Sequence, residues 1–199
     1  MKLLLERWNK FLTEQQGKML SIFDFDDTIA ATKSRTVATD LETGEVIRVP
    51  NQATQDKMKA SGKYDMDFSE FDLVIEPEEI RPITDRLRKR LSESATQVMV
   101  LTARASEAED DIQNYLNTLE PPIKTENVII AGLDGGDKGS FILGYIEQNP
   151  GFTDIEFYDD SLKNIDDVKR ARARLEDSMS SFRIFHVDGG IPSLVETKE

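Results

Sequence analysis

The stretch Met19-Leu20-Ser21-Ile22-Phe23-Asp24-Phe25-Asp26-Asp27-Thr28 decides how this chain is read. An apolar run this short, ending abruptly in acid, is the pattern of a buried β-strand whose tip carries chemistry. The period-two geometry of a strand gives Asp24 and Asp26 similar facing, so both carboxylates approach one point. The same form recurs along the chain. Val98-Met99-Val100-Leu101 ends at Thr102, Val128-Ile129-Ile130 at Gly132, Ile155-Glu156-Phe157-Tyr158 at Asp159-Asp160, and Phe182-Arg183-Ile184-Phe185 at His186-Val187-Asp188.

Helical patterns separate these runs. Ile83, Leu87 and Leu91 recur at four-residue spacing, as do Ala108, Ile112 and Leu116. Phe141, Ile142, Tyr145 and Ile146 form a third stripe, and Ile165, Val168, Leu175 and Met179 a fourth. An amphipathic pattern at 3–15, with Leu4, Leu5, Trp8, Phe11 and Leu12 on one face, reads as a helix packed over the core. Strands alternating with helices of this length predict an α/β fold: an open, mainly parallel, five-stranded sheet with helices on both faces.

Composition sets limits. The chain has 199 residues, the size of one domain with one substantial core, and is expected to form a single domain over 1–199. Its 25 Lys and Arg against 38 Asp and Glu give a net charge of −13, which argues against a non-specific nucleic-acid coat protein and leaves the partner class open. With no cysteine and one histidine, it has no disulfides, no thiolate nucleophile and no Cys- or His-rich metal site. No run approaches the length of a membrane span, and the opening Met1-Lys2-Leu3-Leu4-Leu5 is interrupted by Glu6 and Arg7, so a cytoplasmic protein without a membrane partner is expected.

Residues 29–79 break the alternation. Residues 36–40 and 45–49 flank a short Gly44-containing turn and read as a β-hairpin, followed by a polar stretch with Tyr64, Phe68, Phe71 and Leu73 interspersed. This insertion is expected to be a flap, or minimal cap, over one edge of the sheet. Its aromatic residues read either as a small core under the flap or as a stacking platform for a base.

Ligands of open parallel sheets bind beyond the carboxyl ends of the strands. Asp24, Asp26, Thr102 and the Asp159-Asp160 pair all stand at such ends, and Lys138 follows the third strand through a short loop. Taken singly, each has an ordinary alternative: a solvated strand end for the paired aspartates, a helix N-cap for Thr102, a surface lysine for Lys138. Together and in order they form a coherent set. Crowded carboxylates repel one another unless a cation neutralises them, and with oxygen donors only that cation is Mg²⁺ rather than zinc. Carboxylate nucleophile, metal, lysine and hydroxyl are the parts phosphoryl transfer needs.

On these motifs the chain resembles the haloacid-dehalogenase-like (HAD) phosphohydrolase superfamily. The family's first motif, Asp-x-Asp-x-Thr after an apolar strand, matches Asp24-Phe25-Asp26-Asp27-Thr28. The second, a strand ending in Thr or Ser, matches Val100-Leu101-Thr102-Ala103-Arg104. The lysine opening a helix matches Lys138-Gly139, and the paired aspartates match Asp159-Asp160. The resemblance covers roughly residues 19–188 and implies a Rossmann-like sheet with the first strand central, between the second and fourth. It further implies that Asp24 forms an aspartyl-phosphate, that Asp26 is the general acid and base, and that Thr102 and Lys138 hold the transferring phosphoryl. Mg²⁺ would be held by Asp24, the backbone carbonyl of Asp26, Asp159 and Asp160. Thr28, Arg104, Arg35 and Arg48, with Lys33 nearby, are the candidates for substrate contact, and Ser161 and Asn164 for orienting the acidic pair.

Two departures stand out. Asp27 occupies a position where glycine is common in the family, and the insertion is too short for a full helical cap. An open site of this kind implies a phosphorylated substrate, with a nucleotide or a polynucleotide end among the expectations, similar to the phosphatase half of polynucleotide kinase-phosphatases. The alternatives are a catalytically degenerate binding or assembly protein and a phosphatase of a small non-nucleotide metabolite. The order of the acidic motifs argues against a response-regulator receiver, and the absence of G-x-x-x-x-G-K-[ST] excludes a P-loop kinase.

Overall fold

The computed structural model describes residues 18–175 and 178–198, so the helix expected at 3–15 lies outside the described residues. In chain order the elements begin with β1 (Lys18–Phe23), β2 (Ala30–Ala31), β3 (Val37–Asp40), β4 (Val46–Arg48), α1 (Gln52–Ser61), β5 (Tyr64–Asp67) and β6 (Glu78–Glu79). They continue with α2 (Arg81–Leu91), β7 (Thr96–Thr102), α3 (Glu109–Thr118), β8 (Val128–Gly132), α4 (Lys138–Gln148), β9 (Phe152–Asp159), α5 (Leu162–Leu175), β10 (Ser181–Asp188) and β11 (Ile191–Lys198).

The main sheet runs β11-β10-β9-β1-β7-β8. Every pairing in it is parallel except β10 with β11. This is an α/β, Rossmann-like architecture, and it corrects one expectation: the sheet has six strands, not five. β11 is an antiparallel edge strand returning from β10 through Gly189 and Gly190, both at positive φ. Pro192 within it cannot donate to a ladder, which suits an edge position.

Alternation along the central strands divides the core in two. Leu20, Ile22, Met99 and Leu101 face the layer of α4 and α5, where Ile142, Ile165 and Val168 meet them. Phe23, Val98 and Val100 face the other layer, with Ile83 and Leu87 of α2 and Ile112 of α3. The chain builds outward from β1 through β7 to β8, then crosses back to lay β9 on the other side of β1. That reversal leaves a crevice at the carboxyl ends of β1 and β9. Beneath it, Phe23, Tyr158 and Phe185 of three neighbouring strands stack at 4.8 and 4.6 Å between ring centroids. Arg86 caps the stack, its guanidinium 5.3 Å from the Tyr158 ring and donating to the Tyr158 hydroxyl at 3.0 Å. Stacked pairs of this kind contribute about 0.5–1.5 kcal/mol each beyond their buried area.

The insertion holds more than a hairpin. β3 pairs with β4 as expected, but also with β5, giving a three-stranded antiparallel sheet. α1 precedes β5, capped by Asn51, whose side chain accepts from the Thr54 amide, and ended by Gly62 in the left-handed region. Short strands β2 and β6 pair antiparallel and pin the two ends of the insertion together.

Candidate active site

β1 delivers Asp24 into the crevice, and the Asp24 amide donates to the Tyr158 carbonyl at 2.8 Å, continuing the β1–β9 ladder one residue past the strand. β9 ends at Asp159, so the two carboxylates face each other across adjacent parallel strands, and Asp160 follows. Carboxylate oxygens of Asp24, Asp159 and Asp160 lie within 4.8 Å of one another.

Lys138 is the first residue of α4 and is fully buried. Its ammonium donates to Asp24 and, at 2.7 Å, to Asp159. α4 comes close enough to place it there because residue 139 is glycine: a Cβ at Gly139 would press into the Asp167 carbonyl of α5. Asp159 is further fixed by the Ser161 amide at 2.8 Å and the Asn164 side-chain amide at 3.1 Å to both oxygens. The Asp160 carbonyl accepts from His186 Nε2 at 2.9 Å; a carbonyl only accepts, so that nitrogen carries the proton. His186 was missed as a support residue, although its place at a strand end was the available signal.

The charges of the cluster are unbalanced. Burial pushes the Asp24 carboxyl well above its ordinary range; Lys138 opposes this, and Asp159, Asp160 and Asp26 reinforce it. Burial likewise pushes Asp160 up to about 7, with Asp159 and Asp27 adding to the effect. Burial works against the Lys138 charge, but Asp24 and Asp159 outweigh it and hold the ammonium protonated. Three carboxylates meet one ammonium, and a divalent cation is the natural complement. An all-oxygen donor set suits a hard ion such as Mg²⁺.

Asp26 is arranged differently. Its carboxylate is not in this cluster but in a bidentate pair with Arg104, at 2.7 Å for each contact. Thr102 ends β7 and is buried, its hydroxyl accepting from the Arg104 amide at 3.2 Å. Asp27 sits at φ 52, a left-handed region that aspartate enters more readily than most residues.

The expected substrate contacts divide. Arg104 is 3% exposed and engaged by protein groups. Thr28 is fully buried, with no hydrogen-bond partner for its hydroxyl among the described residues. Arg48 pairs with Glu70 at 2.5 Å and donates to the Lys33 carbonyl. Arg35 is exposed and donates to the Thr32 and Ser34 carbonyls, and its charge also acts on Asp27. Of the insertion's aromatic residues, Phe71 lies over the Arg104 guanidinium at 5.3 Å, while Phe68 is exposed.

Fold and site together define a class: a Rossmann-like α/β protein with an acid and lysine cluster at the switch point of its sheet. No protein-family model matches the sequence, and no curated protein matches it. Among solved structures, the fold is similar to that of the Legionella pneumophila effector Ceg4, with a TM-score of 0.51 and 15% identity over 87% of this chain and 88% of that one. The HAD domain of the L. pneumophila effector Lem4 aligns over 85% of each chain at 13% identity, with a TM-score of 0.44, too low to add to that likeness. At these identities the likeness is one of fold alone. No helix among the described residues is long and apolar enough to cross a membrane.

Proposed function

We propose that the protein is a Mg²⁺-dependent phosphomonoester hydrolase that works through an aspartyl-phosphate on Asp24. The observation that carries this reading is the convergence of Asp24, Asp159 and Asp160 within 4.8 Å, with buried Lys138 bridging the first two. Asp24, Asp159 and Asp160, with the Asp26 backbone carbonyl, would hold the metal. When bound, Mg²⁺ neutralises the carboxylates and stabilises charge on the transferring phosphoryl.

An Asp24 oxygen attacks phosphorus and the bond to the leaving oxygen breaks, with Asp26 giving that oxygen a proton. Water then attacks phosphorus, its proton passes to Asp26, and the Asp24 carboxylate is released with phosphate. Lys138 and the Thr102 hydroxyl stabilise the phosphoryl oxygens through both steps. Residues 29–79 carry 11 Asp and Glu against 6 Lys and Arg. That excess favours a compact phosphomonoester, such as a nucleotide, over a polyanionic nucleic-acid end.

The test is phosphate release from an aryl phosphate, 5′- and 3′-mononucleotides and end-phosphorylated oligonucleotides, in Mg²⁺ or EDTA, beside Asp24→Asn. Release that needs Mg²⁺ and disappears in the variant is expected. Release that persists in Asp24→Asn would refute the nucleophile, and preference for oligonucleotide ends would refute the substrate class.

A further inference from the structure

The Arg104 side chain is 1% exposed, and each of its five N–H groups has an acceptor. Nε donates to Asp26 Oδ2 and Nη2 to Asp26 Oδ1, both at 2.7 Å. Nη2 also reaches the Thr32 hydroxyl at 3.0 Å and the Ser34 hydroxyl at 3.2 Å. Nη1 donates to two carbonyls of the insertion, Phe71 at 3.1 Å and Leu73 at 2.6 Å. The guanidinium lies between the Phe25 and Phe71 rings, 5.5 and 5.3 Å from their centroids. In this arrangement every N–H of Arg104 is already bonded to a protein acceptor.

The carboxylate it holds has four acceptor positions. Oδ1 takes Arg104 Nη2 and the Thr32 hydroxyl at 2.8 Å, and Oδ2 takes Arg104 Nε. One position stays open, on Oδ2. The Asp26 side chain is 30% exposed, so the clamp is closed to water while the carboxylate within it is not.

We propose that Arg104 is the positioning residue that makes Oδ2 the proton-carrying atom of Asp26, and that the 71–73 segment of the insertion holds Arg104 in that task. The proposal rests on the phosphohydrolase reading above. With Oδ1 saturated, a protonated Asp26 carries its hydrogen on Oδ2 while still accepting from Nε there. In the first step that hydrogen goes to the leaving oxygen as its bond to phosphorus breaks and the Asp24–phosphorus bond forms. In the second, a water proton returns to Oδ2 as the water oxygen bonds phosphorus and the Asp24–phosphorus bond breaks. A carboxyl free to rotate carries the proton on either oxygen, and misplacement by about 1 Å costs on the order of 10²-fold in rate. The insertion thereby contributes to catalysis without touching the phosphoryl group.

The test compares wild type, Arg104→Met and Phe71→Ala on p-nitrophenyl phosphate, whose leaving group needs no proton, and on an alkyl phosphate, whose alkoxide does. Phe71→Ala leaves both ends of the ion pair in place and removes only a half-buried ring, so it covers the case in which Arg104→Met does not fold. The expected result is a loss in kcat/KM, which reports the step that expels the leaving group, about tenfold or more greater on the alkyl phosphate than on p-nitrophenyl phosphate for both variants, with inhibition by inorganic phosphate unchanged. Amide exchange of residues 69–76 should rise in Arg104→Met and in Asp26→Asn. Equal losses on both substrates with weaker phosphate inhibition would overturn the proposal in favour of a substrate contact. Unchanged turnover in Phe71→Ala, or unchanged exchange in Arg104→Met, would overturn the link to the insertion. A wild type silent on both substrates would overturn the hydrolase reading itself, which is a different result from equal losses.

Discussion

Replacing Lys138 by methionine removes the one ammonium set between Asp24 and Asp159 and keeps the side chain's length. The lysine side chain is 0% exposed, Asp159 0% and Asp24 7%, so neither carboxylate gains a hydration shell when it goes. Breaking a buried pair from one side costs about 3–5 kcal/mol, a large share of the 5–15 kcal/mol that holds a typical domain together. For a chain of this size that lowers Tm by roughly 10 °C. The cost is electrostatic, so it shrinks when a carboxylate is also removed: in an Asp24→Asn background the same substitution should cost about 2 kcal/mol less. The assay is a set of urea and thermal melts of the four proteins of this cycle in EDTA at pH 8, where the carboxyls are most ionised. Acidification toward pH 6 should narrow the difference, because the Asp160 carboxyl, pushed up to about 7, then takes up its proton. An equal cost of Lys138→Met in both backgrounds, or a stabilised single variant, would refute the reasoning.

The metal-free protein should lose stability as pH rises from about 4 to about 7. Asp160, displaced from 3.8 to about 7, holds its proton more tightly folded than unfolded, so the folded state carries the extra proton across that window. Full ionisation costs up to about 4 kcal/mol, nearer 2 kcal/mol once the water still reaching Asp160 is allowed for. Saturating Mg²⁺ should therefore raise Tm more at pH 8 than at pH 5.5, and equal increments would contradict this. Gly139→Ala brings a Cβ to 2.9 Å from the Asp167 carbonyl carbon, so despite alanine's helix preference it should cost about 1–3 kcal/mol and displace Lys138. A gain in Tm would show that α4 moves freely. Glu156 is 1% exposed and accepts from Arg90 at 2.6 Å and from Arg183 at 2.8 Å. Glu156→Gln should cost about 3 kcal/mol in denaturant titration while leaving phosphate release unchanged.

Much of the sheet was legible because each inner strand is a short apolar run ending in a reactive side chain. The central place of β1 followed from the family resemblance. β11 was not legible: Ile191-Pro192-Ser193-Leu194 has a proline at its second position, leaves Ile191 and Leu194 exposed, and has no alternation to mark a buried face. α1 was hidden for a similar reason. Gln52-Ala53-Thr54-Gln55-Asp56-Lys57 has no apolar stripe, and the helix is marked by its caps, Asn51 and Gly62, rather than by burial. In the site, the strand-end residues are local in sequence and visible there. The Arg104 clamp is not, because it joins position 104 to residues 31 to 78 positions away, and no spacing rule connects them. The sequence places Arg104 beside the site, but only the packing of the insertion shows that its guanidinium is fully occupied.

The central claim is that Asp24 becomes phosphorylated. It is tested most directly by mixing the protein with Mg²⁺ and an aryl phosphate, quenching during turnover, and reducing with borohydride, which converts an aspartyl-phosphate to homoserine. Peptide mass spectrometry should then find homoserine at position 24, dependent on substrate and Mg²⁺. Reduction at another aspartate, or turnover with position 24 unmodified under conditions that trap acyl-phosphates, would contradict it.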